Sequence, residues 1–331
     1  MRTASVPQIA VVALGGNAIT RSGQAGTVVE QSENAAGMAA AVCRLHDVGW
    51  TVVLVHGNGP QVGNLAIQQE QAAHWVPELP LCWLGAMTEG HLGSLLALAL
   101  HREGTGLPGV VSVVTHVVVD ADDPAFARPT KPIGPFLTAA QAHAQAADLG
   151  WTVGEDAGRG YRRLVASPQP CRIVELDAIR ALVDQGMIVV AAGGGGVPVV
   201  TDGRGYRGVD AVIDKDLAAQ RLASALRADA LVLVTDVAAV MLDFGTPRAR
   251  AITEMGVEEA QRHADDGQFP DGSMGPKMRA AIGFVREGGS IAVITDAEGA
   301  CTALAGTGVG TRIVARSPGA AYLDADRTGA A

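Results

Sequence analysis

Ile9-Ala-Val-Val-Ala-Leu14, running into Gly15-Gly16-Asn17, is the stretch on which the fold turns. Six apolar residues in a row leave a strand no polar side, so both of its faces must be covered, as in a buried parallel sheet. The glycines then allow a tight turn. The same arrangement recurs. Thr51–Val55 opens into His56-Gly57-Asn58-Gly59-Pro60, with Pro60 suited to the first turn of a helix, and Met187–Ala192 runs into Gly193 to Gly196. Further strands are expected at Val110–Thr115, Ala230–Val234 and Ser290–Ile294. Helices are expected over 34–48, about 86–102, 175–185, 215–227 and 276–287, with a long loop up to about residue 273. Alternating strands and helices predict an α/β fold with a mostly parallel sheet.

The chain has 331 residues, enough for one large domain or two lobes sharing a sheet. Two lobes are expected, residues 1–200 and 201–331, parted near 200–210. Residues 120–170 break the rhythm with six prolines, from Pro124 to Pro170, and read as an inserted small subdomain or lid. Hydrophobic residues make up 48% but aromatics only 4%, so the core is aliphatic.

The net charge is −9, and no dense Lys/Arg run appears, which argues against nucleic acid as a partner. A strongly anionic ligand must therefore be held by a few local positive groups. Cys43, Cys82, Cys171 and Cys301 form no C-x-x-C pair, so they read as inert thiols in a reducing cytosol and not as a zinc or dithiol centre. No signal-peptide pattern opens the chain, and the apolar segment 92–100 is too short to span a bilayer. A cytoplasmic protein with no membrane partner is expected.

The sharpest chemical clue is the lysine count. Of 25 basic side chains only three are lysine: Lys131, Lys215 and Lys277. Where arginine serves as the ordinary surface cation, a retained lysine marks a place that needs a compact point charge with rotatable donors. All three sit in glycine- or proline-marked contexts, and together they point to one small, highly charged anion. The glycine loops Gly15-Gly16-Asn17, Gly57-Asn58-Gly59 and Gly193–Gly196 (with Gly194 and Gly195 at its centre) supply the other half. They follow strands whose C-termini share one sheet edge, where amides freed of side chains approach phosphate oxygens.

Asp214 and Asp216 flank Lys215 at a helix start, either as plain caps or to hold lysine ammoniums in place. Asp236, after the strand ending at Val234, suits a nucleotide contact or a simple turn. His56 reads as a turn-stabilising or core histidine. The chain carries neither G-x-x-x-x-G-K-[ST] nor a G-x-G-x-x-G after the first strand, so an ordinary P-loop protein and a dinucleotide-binding dehydrogenase are both disfavoured.

Ala13-Leu-Gly-Gly-Asn-Ala-Ile19, His56-Gly-Asn-Gly-Pro-Gln-Val-Gly-Asn-Leu65, Thr130-Lys-Pro-Ile-Gly-Pro-Phe136, Glu155-Asp-Ala-Gly-Arg-Gly-Tyr-Arg-Arg163, Val212-Ile-Asp-Lys-Asp216 and Gly272-Ser-Met-Gly-Pro-Lys277 resemble the carbamate kinases of the amino-acid-kinase superfamily. The third and fourth of these lie in the inserted segment and separate carbamate kinases from their relatives. The resemblance implies a three-layer αβα sandwich with a small protruding subdomain and a homodimer. It implies a phosphotransferase with a carboxyl-type acceptor, working with Mg²⁺ and ATP/ADP on carbamate or carbamoyl phosphate, in arginine or related nitrogen catabolism. The first lobe would take carbamate and the second the nucleotide. Lys215 and Lys277 resemble the phosphate-binding lysines, Asp216 the aspartate that orients them, and Lys131 the lysine carried by the lid. Gly15, Gly16, Asn17, Gly57, Asn58, Gly59, Gly194 and Gly195 would surround the transferred group. Asp214, Thr235, Asp236, Val237, Met241, Met274 and Gly275 would line the nucleotide side. No protein metal ligand is expected, because the phosphates hold the magnesium.

Two departures from the family pattern stand out. Ala238-Ala239-Val240-Met241 lacks a tyrosine expected beside the base, and Glu89 replaces an expected glutamine. A kinase of the same superfamily acting on an amino-acid carboxylate or a small phosphate ester, and a non-catalytic nucleotide or metabolite sensor, are the alternative readings.

Overall fold

The computed structural model describes residues 8–15, 19–21, 23–156, 160–270, 273–317, 319 and 321–322, so Gly16 and Asn17 lie outside the described residues. The opening strand forms as expected: β1 (Gln8–Leu14) pairs in parallel with β2 (Trp50–His56) on one side and β12 (Ala230–Val234) on the other. Beyond them lie β9 (Ile188–Val190) and β3 (Val110–Ser112) in one direction. In the other lie β15 (Ile291–Thr295), β16 (Thr311–Val314), β14 (Arg250–Gly256) and β13 (Met241–Leu242). Pairing is parallel except where β16 meets β15, β13 meets β14, and β17 (Ala321–Tyr322) joins β14.

Alternation along β1 sets the layers. Ala10, Val12 and Leu14 face one way with Val52, Leu54 and Val232; there they meet Met38 and Val42 of α1 (Val28–Asp47) and Leu92 and Leu96 of α3 (Leu81–Glu103). Val11 and Ala13 face the other way with Val53, Leu231 and Leu233. They meet Leu222 of α6 (Lys215–Leu226) and Met278 and Phe284 of α8 (Met274–Arg286). This is an αβα sandwich with an aliphatic core, in which each fully buried Val, Leu or Ile contributes about 1.5–3 kcal/mol.

Residues 131–165 make a separate unit. Strands β5 (Lys131–Leu137), β7 (Tyr161–Val165) and β6 (Thr152–Glu155) form an antiparallel sheet backed by α4 (Ala139–Leu149). It rests on α2 (Gly59–Ala72) at one close point, where a Cβ on Gly63 would fall 1.9 Å from the Gly134 Cα. Ile133 and Val165 pack there with Val62 and Ala66. Arg163 pairs with Glu70 of α2 at 3.3 Å and stacks on Trp151.

Three expectations need correction. The helix expected from residue 34 begins at Val28, because Thr27 and Glu30 form a reciprocal capping box; the exposed Val28 and Val29 hide the periodicity. The stretch up to about 273 is not one loop. It contains β14 and the helix α7 (Val257–Asp265), which buries only Val257 and Ala260 and so carries little apolar signal. Val110–Thr115 is not one strand. It ends at Ser112, and β4 (His116–Val118) joins β8 (Arg172–Ile173), β10 (Val197–Thr201) and β11 (Tyr206–Gly208) in a second sheet. The break falls where Glu89 and Glu175 take the amides of Thr115 and His116.

Candidate active site

Parallel pairing brings the strand ends to one edge. Leu14 is in register with His56, Ala13 with Leu233, and Leu54 with Val190. Gly15, Gly57 and Thr235 therefore stand at one level, each a residue past its strand, and the Gly193–Gly196 turn follows β9 on the same edge.

The turn is a point of close approach. A Cβ on Gly193 would fall 2.2 Å from His56 Nε2, one on Gly194 2.1 Å from Asn58 Nδ2, and one on Gly195 2.2 Å from the Ile213 carbonyl oxygen. Gly194, Gly195 and Gly196 all have positive φ, so glycine is required by conformation as well as by space. The Gly195 amide donates within the turn, to the Ala192 carbonyl at 3.0 Å. His56 is buried, and burial lowers its pKa to about 4, so the ring is neutral at pH 7. Its Nδ1 lies 3.1 Å from the Gly57 carbonyl, which places the ring proton there.

Ile213 leads from this turn to the lysines. Asp214 caps α6, accepting the Asp216 amide on Oδ1 at 2.9 Å, while its Oδ2 takes Lys131 Nζ at 2.5 Å. Asp216 is divided in the same way: Oδ1 takes Lys215 Nζ at 2.7 Å and Oδ2 takes Lys277 Nζ at 3.2 Å. Asp214 thus both caps the helix and holds an ammonium, whereas Asp216 holds two ammoniums. Burial works to raise the Asp214 pKa, but Lys131, Lys215 and the Asp216 amide outweigh it and hold the carboxyl well below the usual range. Burial lowers the Lys215 pKa, with Asp216 pulling it back and Lys277 adding to the fall.

The lysines come from three elements: Lys131 opens β5, Lys215 opens α6, and Lys277 lies in the first turn of α8. Three ammoniums against two carboxylates leave one positive charge, and the N-termini of α6 and α8 add partial positive charge on top. In a chain of net charge −9 this is the local cationic spot the sequence requires. It can bind and polarise a compact polyanion.

The other expected residues are carried by several elements. Asn58 precedes α2, Gly59 is its first residue, and the Asn58 side chain donates to Thr88 Oγ1 at 2.8 Å. Thr235 donates through its amide to the Thr295 carbonyl at 2.9 Å, and the exposed Asp236 and Val237 follow on the same edge. Met241 opens β13, in register with Ala251. Met274 and Gly275 begin α8 just ahead of Lys277, with the Gly275 amide on the Pro270 carbonyl. Glu89 does not reach solvent; it is buried and accepts the Thr115 amide at 2.9 Å. Sequence reading missed Thr88 and Thr115, both fully buried, because isolated threonines carry no motif.

Three lysines gathered on Asp214 and Asp216 give the fold a concentrated positive charge of the kind that suits a phosphate. Residues 8–296 match the family model described as the amino acid kinase family, and the chain belongs to that family. Within it, its close relatives are carbamate kinases. The carbamate kinase of Pyrococcus horikoshii is 44% identical, the match covering 93% of this chain and 99% of that one. The carbamate kinase of Clostridium perfringens is 45% identical over 92% of this chain and 99% of its own length. Among solved structures, carbamate kinase from Giardia lamblia bound to AMP-PNP superposes with a TM-score of 0.84 at 39% identity, covering 93% of this chain and 99% of that chain.

Proposed function

We propose that this chain is a carbamate kinase, moving a phosphoryl group reversibly between ATP and carbamate. The observation that carries the reading is the division of Asp214 and Asp216 among three lysines at two helix N-termini. Identity of 44% to a carbamate kinase over nearly the whole chain supports the choice of acceptor.

In the ATP-forming direction a β-phosphate oxygen of ADP attacks the phosphorus of carbamoyl phosphate, and the bond to the carbamate oxygen breaks. Carbamate leaves as an anion and needs no proton. In reverse it attacks as an anion, so no general base is required. This accounts for a site built from lysines and backbone amides in which His56 is buried and neutral. The task is electrostatic: two anions must meet in line while charge spreads over the transferring group. Lys215 and Lys277 neutralise the phosphates, held in position by Asp216. Lys131, on the subdomain that covers the site, clamps the acceptor and excludes water.

Residues 1–200 take the acceptor, around Gly15, Gly57, Asn58, Gly59, Gly194 and Gly195, with Gly16 and Asn17 assigned by the resemblance alone. Residues 201–331 take the nucleotide, around Thr235, Asp236, Val237, Met241, Met274 and Gly275. Mg²⁺, bound on the nucleotide phosphates, would offset part of their charge. The donor set fits this, because Asp214 and Asp216 are occupied by ammoniums and magnesium favours phosphate and water oxygens. A cytoplasmic location follows from the nucleotide pool it uses. A homodimer is supported by α3, whose exposed stripe of Trp83, Met87, Gly90, His91, Ser94 and Leu98 contains no Lys, Arg, Asp or Glu.

The test is ATP formation from ADP, Mg²⁺ and either carbamoyl phosphate or acetyl phosphate. Preference for carbamoyl phosphate supports the reading; equal use of both, or use of neither, contradicts it.

A further inference from the structure

Behind the glycine turn lies a layer of buried side chains that the phosphoryl transfer does not touch. Thr115 holds both ends of the turn: its hydroxyl accepts the Ala192 amide at 2.9 Å and its carbonyl accepts the Val197 amide at 2.8 Å. Its own amide donates to Glu89 Oε2 at 2.9 Å. One residue earlier on α3, Thr88 Oγ1 accepts from Asn58 Nδ2 at 2.8 Å, and the Asn58 side chain is the group that bars a Cβ on Gly194. Successive helical residues point about 100° apart, so one can serve each side of this contact. Thr88 supports the Asn58 side and Glu89, through Thr115, supports the turn.

Thr88 and Thr115 are 0% exposed and Glu89 is 2% exposed. Glu89 Oε1 has no hydrogen-bond partner among the described residues, so the carboxyl is engaged on one side only. Removing the acceptor strands the Thr115 amide in a dry interior, and Thr115, which holds both ends of the turn, loses its tether to α3.

We propose that Glu89 is a positioning residue for the phosphoryl transfer, acting through Thr115 to fix the Gly193–Gly196 turn against Asn58. The proposal rests on the carbamate kinase reading of the site. Burial raises the Glu89 pKa well above the ordinary carboxyl value.

The experiment compares Glu89→Leu, Glu89→Gln and Thr115→Val with the unaltered enzyme, reading kcat and KM for carbamoyl phosphate, ADP affinity by calorimetry, and melting temperature. Glu89→Leu is expected to lose about tenfold or more in kcat/KM for carbamoyl phosphate, the equivalent of about 1.4 kcal/mol, with ADP affinity within about twofold. Glu89→Gln keeps an acceptor oxygen and recovers most of that loss. Thr115→Val removes the hydroxyl that holds Ala192 and shows the same selective loss. An unchanged kcat/KM in Glu89→Leu or Thr115→Val overturns the proposal. So does a loss of ADP affinity in step with melting temperature, or failure of both variants to fold, since either makes the layer plain scaffold. If the unaltered enzyme makes no ATP from carbamoyl phosphate, it is the functional reading that fails.

Discussion

Lys131 Nζ rests on Asp214 Oδ2 at 2.5 Å, joining the small subdomain to the helix N-terminus that carries Lys215. The bond ties the small subdomain to α6 through the same carboxylate that caps that helix. A lid role predicts that Lys131→Ala raises KM for carbamoyl phosphate about tenfold, or about 1.4 kcal/mol, and increases ATP hydrolysis in the absence of carbamate. Steady-state kinetics and a phosphate-release assay check this; both unchanged would remove the lid role.

The two oxygens of Asp214 can be separated. Asp214→Asn loses the charge partner of Lys131 but keeps an oxygen for the Asp216 amide, whereas Asp214→Ala loses both. Urea unfolding is expected to place the alanine variant below the asparagine variant by about 0.5–2 kcal/mol, the usual worth of a cap. Equal stabilities would mean that the cap contributes nothing.

Much of this was legible in the sequence, and the reason is local. The apolar runs at β1, β2, β9 and β12 are buried on both faces and cannot be mistaken for a half-exposed strand, and after β9 Gly194, Gly195 and Gly196 are required by close approach and by positive φ. The three lysines stand out because arginine fills almost every other cationic position. What escaped was information held in pairings. β14 contains Arg250 and Glu254 and is recognisable only beside β16. Thr115 looked like the end of a strand because nothing nearby announces that its amide belongs to Glu89, 26 residues away.

His56 and Glu89 make stability depend on pH in opposite senses. The His56 pKa falls from 6.5 unfolded to about 4 folded, so the unfolded chain binds the extra proton between those values. Stability is then lost as pH falls through that window, by up to about 3 kcal/mol. The Glu89 pKa is raised by burial, so the folded state holds the extra proton above pH 4.5 and its contribution is lost as pH rises towards the folded value. Melting curves recorded upward from pH 4.5 are expected to fall less steeply in Glu89→Gln than in the unaltered protein; parallel curves would contradict a raised Glu89 pKa.

Gly63 and Gly134 meet backbone to backbone. Gly63→Ala forces the subdomain off α2, at a cost of about 1–3 kcal/mol if the contact is kept and strained. The expected readout is faster proteolysis within 131–165 together with a higher KM for carbamoyl phosphate. No change in either would mean that the subdomain is held elsewhere, with Arg163 and Glu70 the next pair to break.

On α3, Trp83, Met87 and Leu98 are 58%, 44% and 67% exposed and lie on one side of the helix. If that stripe is the dimer contact, Leu98→Glu places a charge in a dry interface and yields monomers in light scattering at micromolar concentration. A dimer unaffected by Leu98→Glu would put the contact on another face.

The central claim is that Lys215 and Lys277, held by the two oxygens of Asp216, neutralise the group in transfer. Its most direct test is the rate of ATP formation from ADP and carbamoyl phosphate in Lys215→Ala, with fold and ADP binding monitored alongside. The account predicts kcat lower by about 10²–10³ in a folded protein that still binds ADP, the usual cost of losing one preorganised donor. A folded Lys215→Ala enzyme with the unaltered kcat would contradict it.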